Sequence, residues 1–248
     1  MKLVDIIPQL TKIIGKEKLI MAARIYGSSL YGESVVDLDI AIIIPSINGV
    51  VKHTTYVRLR KLREALCKTF KTDIDLVPHT IDEIKDINSP LWHPRYNPSL
   101  VFGRDIKGKF PVKSIPYDQS NGFNPASFIL HDTRTITRRQ AIRSLKSEEA
   151  RIFLAKLSHG PGNALTYISF CKKQKCSVDP SNTKLAFEIF SSKYNMNCKE
   201  MLSYIQKCKD VIINTSELPM KQALNVLSWY ESLVMRVLNN GKFKKIIP

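Results

Sequence analysis

The chain has no apolar run approaching the roughly 20 residues that a membrane span needs, although 44% of its 248 residues are hydrophobic. A membrane-spanning helix is therefore not its organising element. Paired cysteines are lacking too: the five, at 67, 171, 176, 198 and 208, are odd in number and include no Cys-x-x-Cys. A disulfide framework is disfavoured, and the cysteines read as free packing thiols. The five histidines are dispersed, with none at ligand spacing from another, so zinc is not expected. The start, Met1-Lys2-Leu3-Val4-Asp5, meets charge at once and lacks the apolar core of a secretory signal. The expectation is a cytoplasmic protein with no membrane association. Internal repeats and low-complexity tracts are also missing, which excludes solenoids and disordered tails as the main architecture.

Negative charge is scarce. Lys and Arg number 38 against 22 Asp and Glu, a net charge of +16. The excess is uneven: residues 1–112 hold 17 cationic against 12 acidic residues, whereas residues 113–248 hold 21 against 10. The back half thus carries +11 of the total, which favours an anionic partner there over an acidic-cleft ligand.

Against this background one stretch stands out. Gly27-Ser28-Ser29-Leu30-Tyr31-Gly32 is followed at once by Val36-Asp37-Leu38-Asp39-Ile40-Ala41-Ile42-Ile43-Ile44. Successive side chains of a strand point to opposite faces, so Asp37 and Asp39 share one face while Leu38, Ile40, Ile42 and Ile44 share the other. Two neighbouring carboxylates weaken a plain strand, and a divalent cation between them makes them a ligand set. A turn of small residues beside them suits a phosphate group.

The front half alternates strand and helix signals. Residues 7–21 have helical spacing of Ile7, Leu10, Ile13, Ile14 and Leu19; residues 22–26 read as a strand; residues 55–70 read as a second helix. Thr72–Val77 reads as a strand stopped by Pro78, and Thr80 with Glu83 as a capping box opening a helix. A last strand is expected at Ser99–Phe102. Gly103, Gly108, Pro111, Pro116, Gly122 and Pro125 then crowd into a connector. Beyond it, 126–145, 148–158, 163–174, 183–194, 198–212 and 219–239 all read as helices, with His159-Gly160-Pro161-Gly162 expected to break one and Lys242–Lys245 left as a basic tail. The fold class is α+β: a domain over 1–112 with a mixed sheet flanked by helices, a connector over 113–124, and an all-α helical bundle over 125–248.

Gly27-Ser28, then Asp37-Leu38-Asp39, then Asp75 within Asp73-Ile74-Asp75-Leu76-Val77 resemble the motif of the DNA-polymerase-β-like nucleotidyltransferase superfamily: Gly-Ser, a spacer, Asp-x-Asp, and a third acid on a later strand. The resemblance covers roughly residues 20–108, and Phe102–Gly108 looks like the segment that closes this domain in small members. The spacer between Gly32 and Asp37 is shorter than in many relatives. The resemblance implies transfer of a nucleoside monophosphate from a nucleoside triphosphate such as ATP to an acceptor hydroxyl, with release of pyrophosphate. It implies two magnesium ions, with manganese as a substitute, held by Asp37, Asp39 and Asp75. Asp75 would also draw the proton from the nucleophile, with Asp73 on the same face as the alternative third acid. Gly27, Ser28 and Ser29 would hold the triphosphate, Ser28 foremost.

Fold does not settle the acceptor. The basic back half points to a macromolecular anion, tRNA or another RNA first, as in toxin-like members. A protein side chain or a small molecule such as an antibiotic are the alternatives, and a non-catalytic RNA- or protein-binding module is the alternative of another class. Arg134, Arg138, Arg139, Arg143 and Lys146 spread over about half a helix circumference, open between an anion-binding surface and a solvated face. His131 and His159 read as structural.

Overall fold

The computed structural model describes residues 2–30, 35–92, 103–108, 110, 123–143, 145–171, 182–194 and 197–239. Four strands form one sheet: β1 (Ala22–Tyr26), β2 (Asp37–Ile44), β3 (Asp73–Thr80) and β4 (Arg104–Lys107). Their order is β3-β2-β1-β4, with β2 and β3 parallel and both pairings of β1 antiparallel. Helices α1 (Leu3–Lys16) and α2 (His53–Phe70) accompany the sheet. α2 is the crossover that a parallel pair requires, because a tight turn cannot bring β3 back alongside β2 in the same direction. It ends at Lys71 in the left-handed conformation (φ 50°), which turns the chain into β3.

The isoleucine run of β2 is buried on both faces beyond Asp39. On the face it shares with the acids, Ala41 and Ile43 pack with Ala22, Leu91 and Phe110. On the other, Leu38, Ile40, Ile42 and Ile44 are all buried. β-branched side chains fit such a pleated interior well.

The chain divides into two compact units, Met1–Asn121 and Gly122–Pro248. The second contains α3 (Pro125–Ile142), α4 (Ser147–Cys171), α5 (Thr183–Tyr194), α6 (Cys198–Thr215) and α7 (Met220–Asn239). α3 opens on Asn124, whose side-chain oxygen accepts from the amides of Ala126 (2.9 Å) and Ser127 (3.1 Å), with Pro125 at the first helical position.

Several boundaries differ from the sequence reading, each for an identifiable reason. β3 does not stop at Pro78 but pairs through it, Ile42 opposite Pro78, to Thr80. β3 lies at the sheet edge, where a proline is tolerated if its missing N–H faces away from the neighbouring strand. The capping contact after it exists, Thr80 N donating to Glu83 Oε2 at 2.9 Å, but it opens only a short 3₁₀ turn, Glu83–Lys85. α1 starts earlier and ends at Lys16, where Lys107 Nζ donates to the carbonyls of Ile14 (3.4 Å) and Glu17 (2.5 Å). The expected break at 159–162 is absent: α4 runs through Pro161. Packing overrides local propensity there, since a Cβ on Gly160 would stand 2.4 Å from the Tyr230 hydroxyl on α7. The expected strand at 99–102, residues 111–122 of the connector and the basic tail lie outside the described residues.

The basic cluster of α3 is a correction of another kind. Arg134 and Arg138 are fully buried, so neither belongs to a solvated face or an anion-binding surface. Arg138 Nε donates to Glu231 Oε1 of α7 at 2.5 Å, with both side chains wholly enclosed. Arg134 donates to His131 Nδ1 at 2.9 Å and to the Met235 sulfur at 3.2 Å. Truncating one member of a buried ion pair strands the other charge. Arg138→Ala is therefore expected to cost about 3–5 kcal/mol, whereas Arg138→Met/Glu231→Leu recovers most of that loss. Denaturant unfolding of the three proteins measures both, and a double variant no better than the single would refute the assignment.

Candidate active site

Strand direction alone gathers the residues singled out in the sequence. β2 and β3 run parallel and in register, so both begin at the same sheet edge, with Asp37 opposite Asp73 and Asp39 opposite Asp75. β1 runs the other way and ends there, with Tyr26 opposite Asp39. Gly27 and Ser28 follow immediately, in a 3₁₀ turn over Ser28–Leu30. Three strand ends thus bring one small-residue turn and four carboxylates to a single edge. Parallel partners in register project to the same face, so the four acids share it.

Their surroundings differ. Asp37 and Asp73 are exposed, Asp39 is half-buried, and Asp75 is 6% exposed. Asp73 is engaged by Arg63 of α2, whose Nη2 lies 2.5 Å from Asp73 Oδ1 while its Nε donates to the carbonyl of Ile74 at 2.7 Å. Arg63 thereby ties the start of β3 to α2 and draws Asp73 towards a structural role. Asp75, one pleat further in, sits beside Asp39.

Gly27 has a positive φ of 86°, a conformation that costs an L-residue strain. A Cβ placed on it would also stand 2.8 Å from Asp39 Oδ2. The Asp39 carboxylate therefore lies directly against the Gly27 backbone, with no room for a side chain between. The two serines separate as well: Ser28 is exposed, whereas Ser29 is buried with its hydroxyl donating to the Tyr26 carbonyl at 3.5 Å. Ser28 presents its hydroxyl at the edge; Ser29 turns inward.

Sequence reasoning missed Arg24. It stands on the acid-bearing face of β1, opposite Ala41, yet is only 5% exposed. It donates to Asp105 of β4 at 2.6 Å and lies 5.4 Å from the centroid of the Phe110 ring. The one signal was an arginine inside the otherwise apolar Ala22–Tyr26. Glu83 is likewise buried, accepting from Thr80 N with His79 Nδ1 3.4 Å away.

The donor set suits a hard cation: carboxylate oxygens are the ligands magnesium takes. Even so, among the described residues no group of three or more His, Cys, Asp and Glu is drawn together tightly enough to form a ready-made metal site. Asp37, Asp39 and Asp75 share a face and an edge without converging on one point. No helix among the described residues is long and apolar enough to cross a membrane. No family model, curated protein or solved structure matches the chain, so the resemblance rests on these residues and their arrangement.

The contact between Gly27 and Asp39 makes a prediction about stability. Gly27→Ala combines backbone strain with a clash and is expected to cost about 1–3 kcal/mol. Asp39→Ala removes the clashing oxygen, so the double variant should be less destabilised than the sum of the singles. Thermal unfolding of the four-protein cycle checks this; strict additivity would place the cost in the backbone alone.

Proposed function

We propose that the protein is a metal-dependent nucleotidyltransferase, moving a nucleoside monophosphate from a nucleoside triphosphate to an acceptor hydroxyl and releasing pyrophosphate. The observation that carries this reading is the in-register pairing of Asp39 with Asp75 at the sheet edge where Gly27 lies against Asp39. A phosphate-sized turn and a face of carboxylates then adjoin, as attack on an α-phosphorus requires.

Asp37, Asp39 and Asp75 would hold magnesium, or manganese, through oxygen donors. When bound, the cations supply positive charge against the charge developing on the attacking, leaving and non-bridging oxygens. The rest falls to the chain. Gly27 allows the triphosphate close to the backbone, and the exposed Ser28 hydroxyl donates to a phosphate oxygen. Asp39, fixed against Gly27, keeps its carboxylate beside that phosphate. Asp75 accepts the proton of the acceptor hydroxyl as the oxygen–phosphorus bond forms and the bond to pyrophosphate breaks. Arg63 favours this role for Asp75 by engaging Asp73. The acceptor is RNA, tRNA first, because the back half still carries most of the net charge of +16 after Arg134 and Arg138 are buried.

The second reading is a binding module without turnover, and the observation favouring it is that no three acids converge among the described residues. Incubating the chain with magnesium, each α-labelled nucleoside triphosphate in turn, and total cell extract separates the two. Label on RNA that disappears by on the order of 10³-fold in Asp37→Ala/Asp39→Ala is the expected result. Label on protein or a small molecule would keep the reaction and correct the acceptor. No label with any triphosphate or metal would leave the module. Ser28→Ala, at an exposed position, is expected to lower kcat/KM by about 10- to 100-fold with an unchanged unfolding midpoint, the cost of one hydrogen bond to a charged group.

A further inference from the structure

The helical unit holds a groove of about 770 Å³ lined mainly by α5 and α6, with Ser158 of α4 at its base. That volume lies within the roughly 300–1,000 Å³ typical of ligand sites. One face of each helix builds it. On α5 the lining residues recur from Thr183 and Lys184 through Phe187 to Ser191, and on α6 from Lys199 through Leu202 and Gln206 to Lys209. Both series follow helical spacing. The floor is apolar, formed by Phe187, Leu202 and Ile205, and only the first and last of these are fully buried.

The rim is cationic. Lys184, Lys199 and Lys209 are exposed along it, against Glu188 as the acidic member of the lining. Ser191 Oγ accepts from Cys198 N at 3.1 Å, folding α6 back along α5. Counting away from that junction, Lys184 and Lys209 come to the same end of the groove and Lys199 to the other. Ten residues at 1.5 Å each put about 15 Å between the two ends. A single anionic group does not span that distance; a chain of phosphates does. The uncharged rim groups of Ser203 and Gln206 supply donors and acceptors for sugar or base edges between them.

We propose that this groove binds a short run of single-stranded RNA, two or three nucleotides long, with phosphates at the lysines and bases over the Leu202 floor. A positive groove that tracks the backbone is one part of how proteins hold single strands without reading sequence; the accessible member of the platform beneath it is here aliphatic, Leu202. The proposal deepens the RNA-acceptor reading and rests on it for the choice of ligand, but not on nucleotidyl transfer.

The test is fluorescence anisotropy of a 5′-fluorescein single-stranded RNA pentanucleotide with the full chain in EDTA, where no transfer occurs. Lys184→Gln/Lys199→Gln/Lys209→Gln is expected to weaken binding at least tenfold. It should also reduce the slope of log affinity against log salt by about two, the value for three phosphate contacts on a single strand. Lys12→Gln/Lys61→Gln/Lys68→Gln, exposed lysines of the sheet unit, removes the same charge elsewhere and should change affinity less than threefold. Equal losses in both triple variants, or none in the first, would overturn the groove. Leu202→Glu, at a half-buried position, adds an independent arm and should weaken binding further without altering the unfolding midpoint. Displacement of the probe by adenosine monophosphate or polyglutamate as readily as by unlabelled RNA would overturn the strand. Transfer activity that persists while the lysine variants keep their RNA affinity sinks this proposal alone; RNA binding without any transfer sinks only the chemistry.

Discussion

Everything at the candidate site depends on the parallel, in-register pairing of β2 with β3. Because side chains alternate with period two, a slip of one residue would send Asp75 to the opposite face and leave Asp39 beside a buried leucine or isoleucine. Register is held from both sides. Leu38, Ile40 and Ile42 must stay buried opposite Ile74, Leu76 and Pro78, so the apolar face of the pair fixes the acid face. Arg63 adds a pin from α2, reaching both the Asp73 carboxylate and the Ile74 carbonyl. The hydroxyl of Thr72 adds another at the strand start, donating to the Val36 carbonyl at 2.7 Å.

The same pairing carries an electrostatic cost. Four carboxylates share one sheet edge, and like charges on adjacent strands are destabilising. The environments divide that burden. Asp37 and Asp73 project into solvent, where water screens them, and Arg63 neutralises the second. Asp39 and Asp75 are drawn further in, towards Gly27 and the sheet interior. The two inner acids lie deepest in the sheet, Asp75 at 6% exposure. Burial lowers the local dielectric, so they are the positions where a bound cation would interact most strongly.

The sheet unit was readable because its signals are local. β2 follows its sequence pattern from Asp37 to Ile44, and the alternation of Asp37, Leu38 and Asp39 fixed the acid face before any pairing was known. What was not readable depended on distant partners. Pro78 looks like a strand terminator until β3 is known to be an edge, and Gly160-Pro161 looks like a helix break until Tyr230 is known to lie against it. The arginines of α3 misled most. Helical spacing described their spread, but the acceptor for Arg138 is Glu231, 93 residues away, and nothing local announces a buried ion pair. At the site, the resemblance put Ser28 ahead of Ser29. The 3₁₀ turn supplies the physical reason, leaving Ser28 exposed and turning the Ser29 hydroxyl inward to the Tyr26 carbonyl.

Burial of Arg134 and Arg138 changes what the net charge means. A formal excess of +16 counts every cation alike, yet a guanidinium enclosed with Glu231 contributes nothing to the field seen by an approaching polyanion. Cations that can meet a phosphate are those left on the surface, and in the helical unit lysines such as Lys184, Lys199 and Lys209 stand exposed along α5 and α6. Lysine is a mobile point charge that suits a flexible phosphate chain, whereas arginine's planar fork suits fixed, bidentate partners. The unit uses each accordingly: arginine locks α3 to α7 from within, and lysine lines the groove outside. Charge composition alone would have assigned both to the same surface.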